Sequence, residues 1–189
     1  ELATDRTREM IATAGQTELE EDRKNAEHER ALAESFAKGK NREKRKLAAL
    51  VLPYWQGMFA SLPEIRLRLP DLTFNDQLTL SGSRRTAQLI SVGCGHTEGD
   101  CVLFLPQDRV LFCGDLLFVK CHPFLAHGDP NNLLFIIDRL EKMKASVFVP
   151  GHGPLGHRRD LERMQLYIRS LTELARSTVE SGGTEMDAA

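Results

Sequence analysis

The chain changes texture abruptly at Pro63, and that change limits what it can fold into. Before it, from residue 1 to about residue 60, Ala, Glu, Lys, Arg and Leu dominate, and no proline occurs until Pro53. Thin apolar stripes run through Met10, Ile11, Ala14, Leu19, Leu32 and Phe36 at helical spacing, with Gly15 and Gly39 as natural breaks. A second helical stretch, residues 42–59, ends in Leu50, Val51, Trp55, Met58 and Phe59, bulky groups that need a surface to cover. Interleaved charges such as Glu20-Glu21-Asp22-Arg23-Lys24 mark solvated helical faces rather than binding arms.

After Pro63 the pattern becomes short strands. Arg66-Leu67-Arg68-Leu69 alternates, and residues 72–74 and 78–80 flank a turn at Asn75-Asp76. Further strands are expected at residues 87–92, 101–105 and 109–113, the last two joined by Pro106-Gln107-Asp108. Asp129-Pro130 opens a helix to about residue 144, with Leu133, Leu134, Ile136, Ile137 and Leu140 as its buried stripe. A short buried strand at residues 146–149 precedes a long helix over residues 158–180, carrying Leu161, Met164, Tyr167, Ile168, Leu171 and Leu174. Strands followed by helix, strand and helix predict an α/β layered body. The expected division is a charged helical segment (an insertion or lid) at 1–62, an α/β body at 63–180 and a flexible tail at 181–189.

Charge narrows the partners. With 25 Lys+Arg against 27 Asp+Glu the formal charge is -2, which offers no electrostatic basis for binding nucleic acid or an anionic membrane. No apolar run approaches the roughly 18 residues of a membrane span. Neither nucleic acid nor a membrane is expected as a partner, and the oligomeric state stays open. Cys94, Cys101, Cys113 and Cys121 form no CxxC pair and are read as buried reduced thiols, without a compartment signal.

Three segments carry the chemistry, each where a strand gives way to a loop. They are Gly93-Cys94-Gly95-His96-Thr97-Glu98-Gly99-Asp100, then Cys113-Gly114-Asp115, then Pro150-Gly151-His152-Gly153-Pro154. Each sets one metal-ligating side chain beside glycine, which lets the backbone bend sharply and approach a ligand closely. Imidazole nitrogen and carboxylate oxygen suit zinc or a similar cation. Singly each is weak, but three matching contexts in order are not. No Gly-x-Ser-x-Gly elbow, P-loop or dinucleotide fingerprint is present.

The set GHTEGD, CGD and PGHG resembles the later motifs of the metallo-β-lactamase fold superfamily of metallo-hydrolases. The segment VLFLPQDRVLFCGDLLF is similar to that family's hairpin leading to its bridging aspartate, and the similarity covers about residues 64–176. The resemblance implies an αβ/βα layered sandwich of which this chain holds the second half, with the N-terminal helices as an insertion. It also implies two zinc ions per complete site, with His96 on the first, Asp115 bridging both and His152 completing the second. Asp115 would thereby be the catalytic carboxylate, beside a hydroxide activated between the metals. Iron serves the same donors in an oxidative relative, so ligand type does not separate the two metals. Thr97 and Asp100 would shape the loop rather than ligate. The resemblance alone implies a small-molecule substrate, and it names no substrate-binding residue; His122 and His127 are candidates there, though structural loop histidines are the plainer reading.

One departure is large. The family's HxHxDH loop is absent, and His28, in Glu27-His28-Glu29, is the sole histidine before His96 and reads as a surface residue. Three ligands are too few for two zincs. Two explanations stand: the chain is the C-terminal portion of a longer protein, which is favoured, or a degenerate member. The first makes it a metal-dependent hydrolase, with the short chain inactive by itself. The second makes it a non-catalytic, metal-free binding or scaffold module. A half-fold also predicts an apolar sheet face without a partner.

Overall fold

The computed structural model describes residues 1–188, so the last residue of the expected tail lies outside the described residues. The elements in order are β1 (Leu2–Thr4), α1 (Asp5–Thr13), α2 (Gly15–Lys38), α3 (Arg42–Ser61), a 3-10 turn (Leu62–Glu64), β2 (Leu72–Phe74), β3 (Gln77–Ser81), β4 (Thr86–Gly93), β5 (Asp100–Leu105), β6 (Val110–Phe118), α4 (Pro130–Lys142), β7 (Val147–His152), α5 (Arg158–Glu180) and α6 (Glu185–Ala188). They form two compact units. One comprises residue 1 with residues 8–71, the other residues 2–7 with the described residues from 72 onward.

The first unit is helical. α2 and α3 pack through small side chains, with Ala26 and Ala33 of α2 and Ala48 of α3 buried, and with Leu19 and Leu62 alongside them. Asn41 starts α3 by accepting from the backbone N–H groups of Glu43 and Lys44 at 2.9 and 3.1 Å, the bonds an N-cap asparagine supplies. The helix continues through Pro53. Arg30, half-buried over the Phe59 ring, pairs with Glu34 at 2.8 Å (i,i+4), and His28 is exposed as expected. The alternating residues 66–69 form no strand, because no neighbouring segment pairs with them. Without a ladder their backbone has no strand-type hydrogen bonds to make, and Ile65, Leu67 and Leu69 stay partly exposed.

The second unit holds a two-stranded parallel sheet, β1-β2, and a five-stranded sheet in the order β3-β4-β5-β6-β7. β3 to β6 form an antiparallel meander, and β7 adds in parallel to β6 after the α4 crossover. The Asn75-Asp76 turn therefore passes the chain from one sheet to the other. Asp129 caps α4 by accepting from Asn131 and Asn132 N–H, with Pro130 fitting the first turn.

α4 and α5 cover one face of the five-stranded sheet. Val102, Phe104, Leu111, Cys113 and Phe148 from the strands meet Leu133, Ile136, Ile137 and Leu140 of α4 and Leu161, Met164 and Ile168 of α5. The buried stripe of α5 is shorter than expected: Tyr167, Leu171 and Leu174 are exposed. The other sheet face is also apolar. Strand register aligns Leu78, Leu89, Leu103, Phe112 and Val149 in one row and Leu80, Ala87, Leu105, Val110 and Val147 in the next. None of these ten residues is fully buried, and Phe112 is 39% exposed.

The cysteines are all free, but only Cys113 is buried; Cys94 and Cys101 are half-buried and Cys121 is exposed. Cys121 sits past the end of β6, where no layer covers it, which corrects the expectation of four buried thiols.

Candidate metal centre

β6, β7 and the β4–β5 loop end at one place, and each delivers one side chain to it. A register shift in β6 at Gly114, whose φ is +55°, breaks the strand alternation and turns Asp115 out of the covered face. His152 closes β7. Gly151 before it is required: a Cβ there would run into the Asp115 carboxylate and come within 2.8 Å of the Gly114 carbonyl carbon.

The β4–β5 loop is held by Asp100. Its carboxylate accepts from the backbone N–H of Gly95 at 3.0 Å, His96 at 2.6 Å and Thr97 at 3.1 Å, and from the Thr97 hydroxyl at 2.6 Å. Asp100 has spent its oxygens on the loop, so it shapes the loop as the sequence suggested. The same loop is pinned from α4, where Asn132 donates to the Cys94 carbonyl and the Asp129 N–H donates to the Gly95 carbonyl at 3.0 Å.

The result places the three sequence-predicted residues together. His96 Nε2 lies 3.4 Å from Asp115 Oδ2, and His152 Nε2 lies 3.6 Å from Asp115 Oδ1. These separations exceed the roughly 2.7–3.2 Å of an N–H···O hydrogen bond. They match the edge of about 3.4 Å that separates two ligand atoms on a tetrahedral ion with bonds near 2.0–2.1 Å. Each imidazole addresses a different carboxylate oxygen, so the arrangement is two pairs sharing Asp115. It is not a tripod around one point: among the described residues no group of three or more His, Cys, Asp and Glu is gathered to hold one ion.

The donor types and their spacing are ones a metal ion accepts, with one imidazole and one carboxylate oxygen on each side of Asp115. A catalytic zinc takes about three protein ligands, so each side is short. His96 has one nitrogen left without a partner. Its side chain is only 12% exposed, and its Nδ1 is buried without a hydrogen-bond partner, whereas a ligating imidazole normally anchors its second nitrogen.

Aromatic rings wall the group, and the sequence reading missed them. Phe118 stacks on the His152 ring at 4.9 Å and 14°, and lies 5.9 Å from His96. Phe124 meets His96 edge-on at 6.2 Å and lies 5.3 Å from His127. Phe118 ends the apolar run after Asp115, and Phe124 lies in the following loop, which the resemblance set near the site mouth without marking either ring. His122 is bonded through Nδ1 to the Tyr167 hydroxyl at 2.7 Å, the structural role expected of it. His157 caps α5, its N–H donating to Asp160 Oδ2 at 2.9 Å. Burial pushes the Cys113 thiol, two residues before Asp115, up to about 12, so it stays protonated.

Comparison with known proteins decides the family. The metallo-beta-lactamase superfamily model matches residues 17–152, more than half of the chain. The chain belongs to the metallo-beta-lactamase superfamily. The match takes in the helical segment as well as the strands and stops at His152, whereas the motif likeness was expected over about residues 64–176. A hydroxyacylglutathione hydrolase from Synechococcus sp. (strain JA-3-3Ab) is 33% identical over 86 residues, covering 44% of this chain and 34% of the relative. A metallo-beta-lactamase type 2 from Bacteroides fragilis is 27% identical over 112 residues, covering 57% and 45%.

Among solved structures, a metallo-beta-lactamase from Pontibacter korlensis aligns with a TM-score of 0.51 at 29% identity, over 67% of this chain and 65% of that one. A metallo-beta-lactamase family protein from Thermus thermophilus aligns at 0.51 and 22% identity, over 61% and 41%, which speaks for the fold alone. The mixed α/β fold read from the sequence is thus that of metallo-beta-lactamase superfamily proteins. The chain spans less than half the length of the curated superfamily relatives it matches.

Proposed function

We propose that this chain carries part of the centre of a metal-dependent hydrolase, with His96 and Asp115 Oδ2 as donors to one zinc and His152 and Asp115 Oδ1 as donors to a second. What supports the reading is one observation: two imidazoles approach opposite oxygens of a single carboxylate at 3.4 and 3.6 Å. A carboxylate between two cations screens their repulsion, which a histidine in that place could not do. The chemistry supplied at such a site is Lewis acidity, which lowers the pKa of a water toward about 7 and polarises the oxygen of the bond to be cleaved.

The chain's own residues orient and shelter. Phe118, stacked on His152, fixes the plane of that ring, and Phe118 with Phe124 confines His96. Asp100 sets the backbone from which His96 projects. His152 is 60% exposed, so a small substrate reaches the group from that side. Both curated relatives are named as hydrolytic enzymes, one of an acylated thiol and one of a lactam, which favours an ester, thioester or amide as the bond cleaved.

With two donors per side, the 189-residue chain is expected to take up zinc weakly and to turn over neither a chromogenic lactam nor an acyl thioester. Titration calorimetry with zinc, backed by elemental analysis for zinc and iron, measures this. Asp115→Asn is expected to abolish uptake on both sides and His152→Ala on one. Zinc uptake unchanged by both substitutions overturns the assignment. A second reading, a non-catalytic binding module, is favoured by the absence of a gathered three-donor group among the described residues. A longer version of the protein that neither takes up zinc nor turns over substrate would establish it, and stoichiometric zinc with turnover would overturn it.

A further inference from the structure

A cavity of about 340 Å³ adjoins the candidate centre, sharing Phe118 with it, and lies between the segment leaving β6 and the first turns of α5. Its size falls at the small end of the roughly 300–1,000 Å³ typical of small-molecule sites. Phe118, Val119, Pro123 and Met164 give it an apolar floor, and Lys120 and Arg163 stand on its rim. We propose that this cavity binds a small monocarboxylate with an apolar body. The inference does not depend on the metal reading.

Three features support it. The cavity is formed in advance, since its two walls are already tied together. The Phe118 N–H donates to Met164 Sδ at 3.3 Å, and His122 bonds Tyr167 at 2.7 Å. Little ordering remains to be done when a ligand enters, and that lowers the cost of binding. Second, the charges leave one cation over. Arg163 faces Asp160 at 3.4 Å, while Lys120 makes no ion pair among the described residues. With Arg158 and Arg159 lining the neighbouring cavity that Lys120, Asp160 and Arg163 also line, the rim is net positive, which favours an anion, and the apolar floor favours a carboxylate with an apolar body over inorganic phosphate. Third, Lys120 is held at φ +61°, a left-handed conformation that non-glycine residues seldom adopt, at the point where the chain turns out of β6.

The experiment titrates the 189-residue chain with phenylacetate, with phenylacetamide as its uncharged counterpart and with inorganic phosphate. Calorimetry reads affinity, and amide NMR shifts read position. Expected is saturable one-site binding of phenylacetate, with shifts centred on Val119, Lys120 and Tyr167, and phenylacetamide at least about tenfold weaker, a difference of about 1.4 kcal/mol. Lys120→Met and Arg163→Met, both at exposed side chains, should each weaken phenylacetate severalfold, leave phenylacetamide unchanged and leave the thermal midpoint unchanged. Equal affinity for phenylacetate and phenylacetamide overturns the proposal. So does unaltered binding in Lys120→Met, a shift pattern centred elsewhere, or phosphate binding more tightly than phenylacetate.

Discussion

Gly151 makes room for the Asp115 carboxylate by having no side chain. A methyl group there would meet that carboxylate and the Gly114 backbone, and the backbone cannot swing aside. Gly151→Ala is therefore expected to destabilise by about 1–3 kcal/mol in denaturant unfolding, as overpacked sites do. Gly57, inside α3 with nothing within 4 Å of its notional Cβ, is the contrast. Gly57→Ala should stabilise by about 0.5–1 kcal/mol, because alanine loses less backbone freedom in a helix. Cys113 offers a pH test. Its thiol pKa is raised by burial from 9.0 to about 12, so the unfolded chain ionises first as the medium becomes alkaline. Its contribution is complete below pH 9.0 and declines as pH climbs toward 12, by about 1.4 kcal/mol per unit. Cys113→Ala should flatten that part of the stability profile, read as the wild-type minus mutant difference. A thiol reagent should meanwhile modify the exposed Cys121 long before the buried Cys113.

Among the elements, the β4–β5 loop depends on one carboxylate. Asp100→Ala leaves three backbone N–H groups and a hydroxyl without their acceptor. A cost of at least about 2 kcal/mol is expected, together with displaced His96 ring resonances. Asp100→Asn, which keeps an oxygen acceptor, should recover part of both. This loop was legible in the sequence because its motif is local: acid, threonine and glycines stand within six residues, Gly95 to Asp100. α4 was legible for the same reason, its Asp-Pro start and apolar spacing both being short-range. The β1–β2 pairing was not, since Leu2 meets Leu72 across most of the first unit's sequence, and three-residue strands leave no periodicity. The outer half of the α5 stripe misled because spacing marks a helix face but not the length of what it packs on. Residues 66–69 misled likewise, their alternation lacking a partner strand. At the centre, residue types and glycines announced His96, Asp115 and His152. Phe118 and Phe124 carried no such mark, since an aromatic in an apolar run is ordinarily core.

At the scale of the whole molecule, the second unit has a sheet with apolar residues on both faces and helices on one. Half-buried Leu103 and the exposed Phe112 lie side by side on the face that α4 and α5 do not pack on. A contiguous apolar patch of that kind is rare on a monomer and marks a contact surface. The 189-residue chain is expected to bind the dye ANS in its folded state and to self-associate with concentration. The double change Leu103→Lys with Phe112→Lys should lower both, measured by dye fluorescence and sedimentation. Unaltered dye binding would show that the exposed surface lies elsewhere.

The position of Asp115 has one more outcome. Its two oxygens face neighbours on opposite sides, one carried by β7 and the other by the β4–β5 loop, so a shift that tightens its hold on either neighbour loosens the other. Substitutions in β6 that tilt this side chain should therefore lengthen one of the two imidazole–carboxylate approaches as they shorten the other.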